Sequence, residues 1–350
     1  MGSVKDLEVI KKPTKDLTGI GMFDFSDRYS VFDWGEMPDL IEGKGAALCL
    51  MGAYCFEQLE KEGVKTHYRG LIDTDGRVVK TTDIKQPSSI MEVSLVNVYK
   101  PKTSVVNSKI VHDYSVYTPE LKNCLIPLEI IYRNGLPEGS SVFKRLAQKK
   151  ITLKDLGLDH YPKPGEHLDK PIFDVSTKLE ETDRYVTWRE AQQIACLTDQ
   201  ELADVTAVLI EADETITEVA SKAGLKNEDG KIELAFDEKR KLMIVDVVGT
   251  LDECRFTYEG VHVSKEIARQ FYKKTSWYAD LEQAKKDAET EGIQEWKALC
   301  KSPPPKLDPQ LKKIISEMYM AAANEMISRR LFDVPTLKEV ITKYKKYMKE

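Results

Sequence analysis

The sequence has no run of about 18 apolar residues, so nothing in it reads as a membrane-spanning helix. Its first residues, MGSVKDLEVIKK, lack the apolar core of a secretory signal, and the expected location is the cytoplasm. Gly2 after Met1 matches the start of a myristoylation signal, but a plain cytosolic start or a cloning scar is the favoured reading. None of the six cysteines (Cys49, Cys55, Cys124, Cys196, Cys254, Cys300) stands in CxxC spacing. That argues against a zinc site or a disulfide frame and for scattered reduced thiols. The five histidines form no HExxH pattern, so a histidine-held metal is not expected. A basic excess is also missing: 52 Lys and Arg stand against 58 Asp and Glu, a net charge of −6. This weighs against binding along a nucleic-acid backbone and leaves room for a local basic pocket for a small anion.

What is present is a chain of 350 residues, 41% hydrophobic and 31% charged. That length suggests two domains and buries enough surface to fold without disulfides or a structural metal. Asp24 to Asp33 alternates like a strand and ends at Trp34-Gly35. Gly45 to Glu62 has helical spacing and stops at Gly63. Gly70 to Lys80 suits a hairpin turning at Asp75-Gly76, and Ile90 to Tyr99 alternates. Leu125 to Tyr132 is apolar enough for a buried strand and marks the crossing into a second domain. Thr187 and Thr198 are positioned to cap two helices within 186–223. Gly230 to Phe236 and Lys241 to Val248 read as a hairpin around Asp237-Glu238-Lys239-Arg240. Helices are expected over Ser264 to Tyr272, Tyr278 to Cys300, Pro309 to Leu331 and Pro335 to Tyr347. Ser302-Pro303-Pro304-Pro305 is a stiff break among them. Leu311, Ile314, Ile315, Met318, Ala322 and Met326 recur at helical spacing, as do Leu337, Val340, Ile341 and Tyr344, so this tail is expected to pack. The fold class is α+β in two lobes. The expected units are 1–125, 126–276 and a helical extension over 277–350.

Four clusters combine charge with turn residues. Lys11-Lys12-Pro13-Thr14-Lys15 can meet polyphosphate, although taken alone it reads first as a solvated face. Arg133-Asn134-Gly135 with Gly139-Ser140-Ser141 and Lys144-Arg145 offers backbone N–H groups, hydroxyls and a guanidinium. It reads as a phosphate-monoester pocket or as a surface loop with a basic tail. On a strand, Asp229, Lys231 and Glu233 share one face. Asp246 ends an apolar strand, a common way to hold Mg²⁺ beside a nucleotide, and Glu233 joins it if the two strands pair.

The order of these clusters resembles the SAICAR synthetase family. That family runs from a lysine-bearing phosphate loop through SDRxSxFD, GKG, PxExxxRN…GSxxKR, STKxE…D and DxKxEF to DExxTPDxxRF. Here the corresponding residues are Lys15; Ser26 to Asp33; Gly43-Lys44-Gly45; Pro127, Glu129, Arg133 and Asn134 with Gly139 to Arg145; Ser176 to Glu180 with Asp183; Asp229 to Glu233; and Asp246 to Phe256. The resemblance covers roughly Val9 to Tyr272.

It implies a two-lobed SAICAR synthetase-like fold of antiparallel sheets and helices, with an ATP cleft between the lobes. It implies ATP and Mg²⁺, with Lys12, Lys15, Glu129, Glu233 and Asp246 on the nucleotide side and Glu233 and Asp246 on the metal. It places Arg133, Ser140 and Arg255 on the ribotide phosphate, and Asp33, Asp183 and Asp252 in the same substrate pocket. Lys178, Asp229 and Lys231 are the implied catalytic residues. The implied reaction is aspartate joined to the carboxylate of carboxyaminoimidazole ribotide through an acyl phosphate, in purine biosynthesis. The partners are then small molecules, with neither nucleic acid nor membrane, and the apolar extension is a candidate interface for a homo-oligomer. Two alternatives stand beside this: a paralogous ligase for another amine or azole carboxylate, and a non-catalytic nucleotide or ribotide binder. Four departures bear on them. Lys12-Pro13-Thr14 has no glycine, Val247 and Leu251 replace a glutamate and a proline, and polar Lys226-Asn227-Glu228 stands where an apolar strand is usual.

Overall fold

The computed structural model describes residues 4–106, 109–263, 265–291, 293 and 295–349. Met1, Gly2 and Ser264, used in the sequence reading, lie outside them. The strands are β1 Lys5–Lys11, β2 Gly19–Phe25, β3 Tyr68–Ile72, β4 Val78–Val79, β5 Ile90–Leu95, β6 Lys102–Val106, β7 Lys109–Asp113, β8 Cys124–Leu136, β9 Glu166–Thr177, β10 Lys226–Phe236, β11 Leu242–Val245, β12 Cys254–Tyr258 and β13 Val261–His262. The α-helices are α1 Lys44–Lys61, α2 Ser141–Ala147, α3 Trp188–Ala195, α4 Asp199–Lys222, α5 Glu266–Tyr272, α6 Ser276–Glu291, α7 Pro309–Met326 and α8 Leu337–Tyr347.

An antiparallel sheet in the order β1-β2-β5-β3-β4 takes its strands from the first hundred residues. A second antiparallel sheet, β13-β12-β10-β8-β9 with β11 beside β10, is built from residues 124–262. The two meet at β11, where His67 N–H donates to the Ile244 carbonyl (2.9 Å) and Ile244 N–H to that of Lys65 (2.9 Å). One apolar core runs continuously between them, with most of α1 buried in it. This is the expected α+β class.

Thr187 and Thr198 cap α3 and α4 as read from the sequence, the second in a full capping box. The tail is helical, and every residue of its two predicted apolar faces is buried. Several boundaries differ: the helix expected to reach Leu331 ends at Met326, and the strands expected to reach Tyr99 and Val248 end at Leu95 and Val245. The first predicted strand is displaced: β2 ends at Phe25, and 26–33 is a loop in which Phe32 (φ 56°) and Asp33 (φ 61°) are left-handed. The alternation read there reflects a loop pressing Tyr29 and Val31 into the core. The helix expected to reach Cys300 stops at Glu291. The polar triplet 226–228 opens β10, with Lys226 exposed but Asn227 and Glu228 buried. Asn227 is bonded by the Tyr132 hydroxyl, Asp213 and Thr217, and Glu228 by the Thr257 hydroxyl (2.7 Å), so burial leaves no orphaned group there.

Candidate active site

Register decides which charges share a face. In the β8–β10 ladder Asp229 pairs with Arg133 and Glu233 with Glu129; on the other side of β10, Asp229 pairs with Arg255 of β12. Directly paired residues point to the same face. Asp229, Lys231 and Glu233 therefore stand with Glu129, Arg133 and Arg255, and β9 adds Asp174 opposite Ile131. The other face of the same strands carries Ile130, Tyr132 and Ile232 into the core.

At one end of this face sit carboxylates and lysines. Lys231 Nζ lies 2.7 Å from Glu129 Oε1 and 3.5 Å from Glu253 Oε2. Lys178 Nζ binds Glu233 Oε1 and lies 3.8 Å from Glu129. Burial alone would lower Lys231, but Glu253, Glu129 and Glu233 outweigh it and keep the ammonium charged. Glu233 is the strained member. Burial first, then the charge of Asp246, pushes its carboxyl up to about 8 despite Lys178 and Lys231.

Asp246 follows the last residue of β11 and is left-handed (φ 64°). Strand alternation therefore does not set its direction. Its Oδ1 meets Lys5 Nζ at 2.6 Å, and a quarter of its side chain stays exposed. Burial would raise this carboxyl, but Lys5, then Lys178 and Lys231, hold it below the usual range. Val247 and Leu251 both point into the apolar core, Val247 beside Gly52 of α1, so neither departure reaches this cluster.

The lysine that the fold brings to the carboxylates is Lys5, not Lys12 or Lys15. The latter two stand at the exposed turn of the β1–β2 hairpin. Asn97 and Asn123 clamp that turn through the Thr14 carbonyl (2.8 and 2.7 Å), and Asn123 N–H donates to Asp237. Asp237 lies four residues along from Glu233, about 13 Å at a strand's rise, beyond the reach of a lysine side chain. Period-two spacing of Lys5, Leu7 and Val9 is a signal that could have found this strand, and Lys5 is its inward end.

At the other end sits a guanidinium pair. Arg255 grips Asp229 through Nε (2.8 Å) and Nη2. Arg133 is buried and lies 3.4 Å from both Asp229 and Asp174, and its Nη2 is 3.2 Å from Ser141 Oγ and from the Tyr185 hydroxyl. Its Nε is buried without a partner, a donor left over for a ligand or water. Arg145 occupies Asp174 from the far side and stacks on Tyr185.

The serine beside Arg133 is Ser141, because the Ser140 hydroxyl accepts from Val142 N–H (3.5 Å) to cap α2. The sequence reading named Ser140; the structure brings Ser141 to Arg133. Asp183 lines a cavity of about 670 Å³ together with Arg145, Arg184 and Tyr185. Asp33 is exposed and paired with Lys285 of α6 (2.9 Å). Asp252 has both oxygens occupied, Oδ2 by Lys44 (2.7 Å) and Oδ1 by the Tyr319 hydroxyl (2.6 Å).

Glu233 and Asp246 are hard oxygen donors held where burial already opposes a second negative charge, so a divalent cation suits them. No cluster of three or more His, Cys, Asp or Glu able to hold a metal occurs among the described residues. The donor set fits Mg²⁺, which keeps waters and takes other ligands from phosphates.

The SAICAR synthetase family model matches residues 13–290. An Archaeoglobus fulgidus protein, provisionally named a phosphoribosylaminoimidazole-succinocarboxamide synthase, is 46% identical over 348 residues, covering 99% of this chain and 100% of its own. The phosphoribosylaminoimidazole-succinocarboxamide synthase of Thermoplasma volcanium is 34% identical over 76% of this chain and 82% of its own. In fold, the Saccharomyces cerevisiae SAICAR synthase solved with SAICAR aligns at a TM-score of 0.61 and 18% identity, covering 94% of each chain. With most of its length matched by the family model and one relative aligned end to end, the chain belongs to the SAICAR synthetase family.

Proposed function

We propose that this chain is the ATP-dependent ligase that joins L-aspartate to the carboxylate of 5-amino-1-(5-phosphoribosyl)imidazole-4-carboxylate, giving SAICAR in cytoplasmic purine biosynthesis. The observation that carries the reading is one sheet face with two charge zones: the Glu233–Asp246 pair among Lys5, Lys178 and Lys231, and the Arg133–Arg255 pair on Asp229. The reaction needs both. A carboxylate oxygen of the ribotide takes the γ-phosphoryl group of ATP and releases ADP. The aspartate amine then attacks the acyl carbon, phosphate leaves, and the nitrogen sheds a proton.

Glu233 and Asp246 would hold Mg²⁺, which offsets charge on the phosphates when bound. Lys5 and Lys178 would turn from these carboxylates toward phosphate oxygens, and Lys231 toward the ribotide carboxylate. Arg133, Ser141 and Arg255 would bind the ribotide phosphate, with Asp229 and Asp174 orienting the guanidinium groups. Asp183, at the mouth of the adjoining cavity, would face the substrate side. Lys12 and Lys15 would make outer contacts only, at the far end of the β1–β2 hairpin.

The test is ADP release by the purified protein with ATP, Mg²⁺ and the ribotide, with and without aspartate, and the mass of the product. Aspartate-dependent release with a succinocarboxamide product is expected. Turnover with a different amine alone, or none at all, would overturn the reading.

A further inference from the structure

In the C-terminal extension, α7 packs on α1 and α8 packs on α7. Helix α7 lays one face on the turn that carries Gly43-Lys44-Gly45. Ser316, Tyr319 and Met320, spaced i, i+3 and i+4, share that face. Ser316 Oγ donates to the Glu42 carbonyl (2.6 Å). Met320 lies so close to Gly43 that a Cβ there would come within 2.5 Å of its sulfur, and Gly43 is left-handed (φ 75°). The Tyr319 hydroxyl donates to Asp252 Oδ1 (2.6 Å), while its ring lies 5.5 Å from Lys44 Nζ. Lys44 is fully buried and spends its charge on Asp252 Oδ2 (2.7 Å). From the opposite side, Asp27 accepts from the N–H groups of Gly43 (3.2 Å) and Gly45 (2.9 Å).

Asp252 is therefore the knot of three segments: the N-terminus of α1, the loop 246–253 and α7. That loop begins at Asp246 and leads to Glu253 beside Lys231 and Arg255 on Asp229. With both oxygens occupied and its side chain 9% exposed, Asp252 has little left to offer a substrate. Its position matters instead, because it lies in the chain segment that runs from Asp246 to Arg255.

We propose that Tyr319 is a positioning residue for this reaction: acting through Asp252 and Lys44, it sets the loop that presents Asp246, Glu253 and Arg255. The C-terminal extension is then part of the active site rather than an appendage to it. The kinetic side of this inference rests on the proposed ligase reading; the loop-ordering side does not.

Tyr319→Phe keeps the ring and removes only the hydroxyl. A hydrogen bond to a carboxylate contributes roughly 1.5–3 kcal/mol, so opening of the loop should become about ten- to a hundredfold more frequent. Two readouts are needed. Amide hydrogen exchange in 247–254 should speed up by about tenfold or more, with α4 unchanged. In turnover, kcat should fall at least tenfold while KM for ATP moves less than threefold. Tyr344→Phe, a buried tyrosine of α8, is the control for ring packing and should match wild type in both. Wild-type exchange in 247–254 together with wild-type kcat for Tyr319→Phe would overturn the proposal, as would equal effects in the control. If wild type makes no succinocarboxamide product, the ligase reading fails, and the exchange comparison still decides whether Tyr319 orders the loop.

Discussion

Replacing Glu233 by glutamine keeps the shape of the side chain and removes one ionisable group. In the wild type, burial and then Asp246 lift that carboxyl from 4.5 to about 8. Between those values the folded chain holds a proton that the unfolded chain has released, so stability falls as pH rises across that window and levels off above it. This is opposite in sign to a salt-bridged carboxylate, whose lowered value adds stability as pH rises. One pH unit of displacement is worth about 1.4 kcal/mol, so the whole effect is a few kcal/mol, at most about 5. Glutamine cannot titrate. The variant should therefore gain on the wild type by a few kcal/mol between pH 5.5 and about 8.5, measured by urea unfolding without ATP or Mg²⁺. Histidines and other carboxylates titrate in both chains and largely cancel in the difference. The same charge balance predicts that Mg²⁺ and ATP, binding together near pH 7, expel close to one proton from the wild type and distinctly less from Glu233→Gln. Calorimetry in buffers of different ionisation enthalpy reads this directly. Parallel pH profiles for the two chains would refute the reasoning, because they would mean that Glu233 is ionised in the folded protein at neutral pH.

Three further outcomes are expected. Asp246→Asn should abolish ADP release at saturating Mg²⁺ while circular dichroism stays unchanged, since a neutral amide is a far weaker ligand for Mg²⁺ than a carboxylate; wild-type turnover would remove Asp246 from the mechanism. Arg255→Lys loses the two-pronged grip on Asp229 and should raise the ribotide KM by about ten- to a hundredfold, equivalent to roughly 1.5–3 kcal/mol, with the ATP KM little changed. Lys5→Ala should weaken ATP binding in calorimetry by at least tenfold, whereas Lys15→Ala should weaken it less than threefold; the reverse order would return the phosphate role to the hairpin turn.

Motif order identified the family, and helical periodicity placed α1, α3, α4, α7 and α8, because both depend on residues close together in sequence. Alternation on one strand was enough to put Asp229, Lys231 and Glu233 on one face, since a strand's side chains alternate whatever they pack against. The apolar faces of the tail were legible for the same reason. Three things were not. Lys5 and Asp246 are 241 positions apart, and only the seam between the two sheets brings them within 2.6 Å. Ser140 and Ser141 are chemically alike in a string of letters, and only the start of α2 assigns one to capping and leaves the other to Arg133. The polar opening of β10 looked like a broken strand until Tyr132, Asp213, Thr217 and Thr257, from three other elements, supplied its hydrogen bonds. Local pattern sets what each segment becomes and which way its side chains face. Which distant charge meets which, and so where each carboxyl titrates and which hydroxyl is free, is set by strand register and by helix packing across the core.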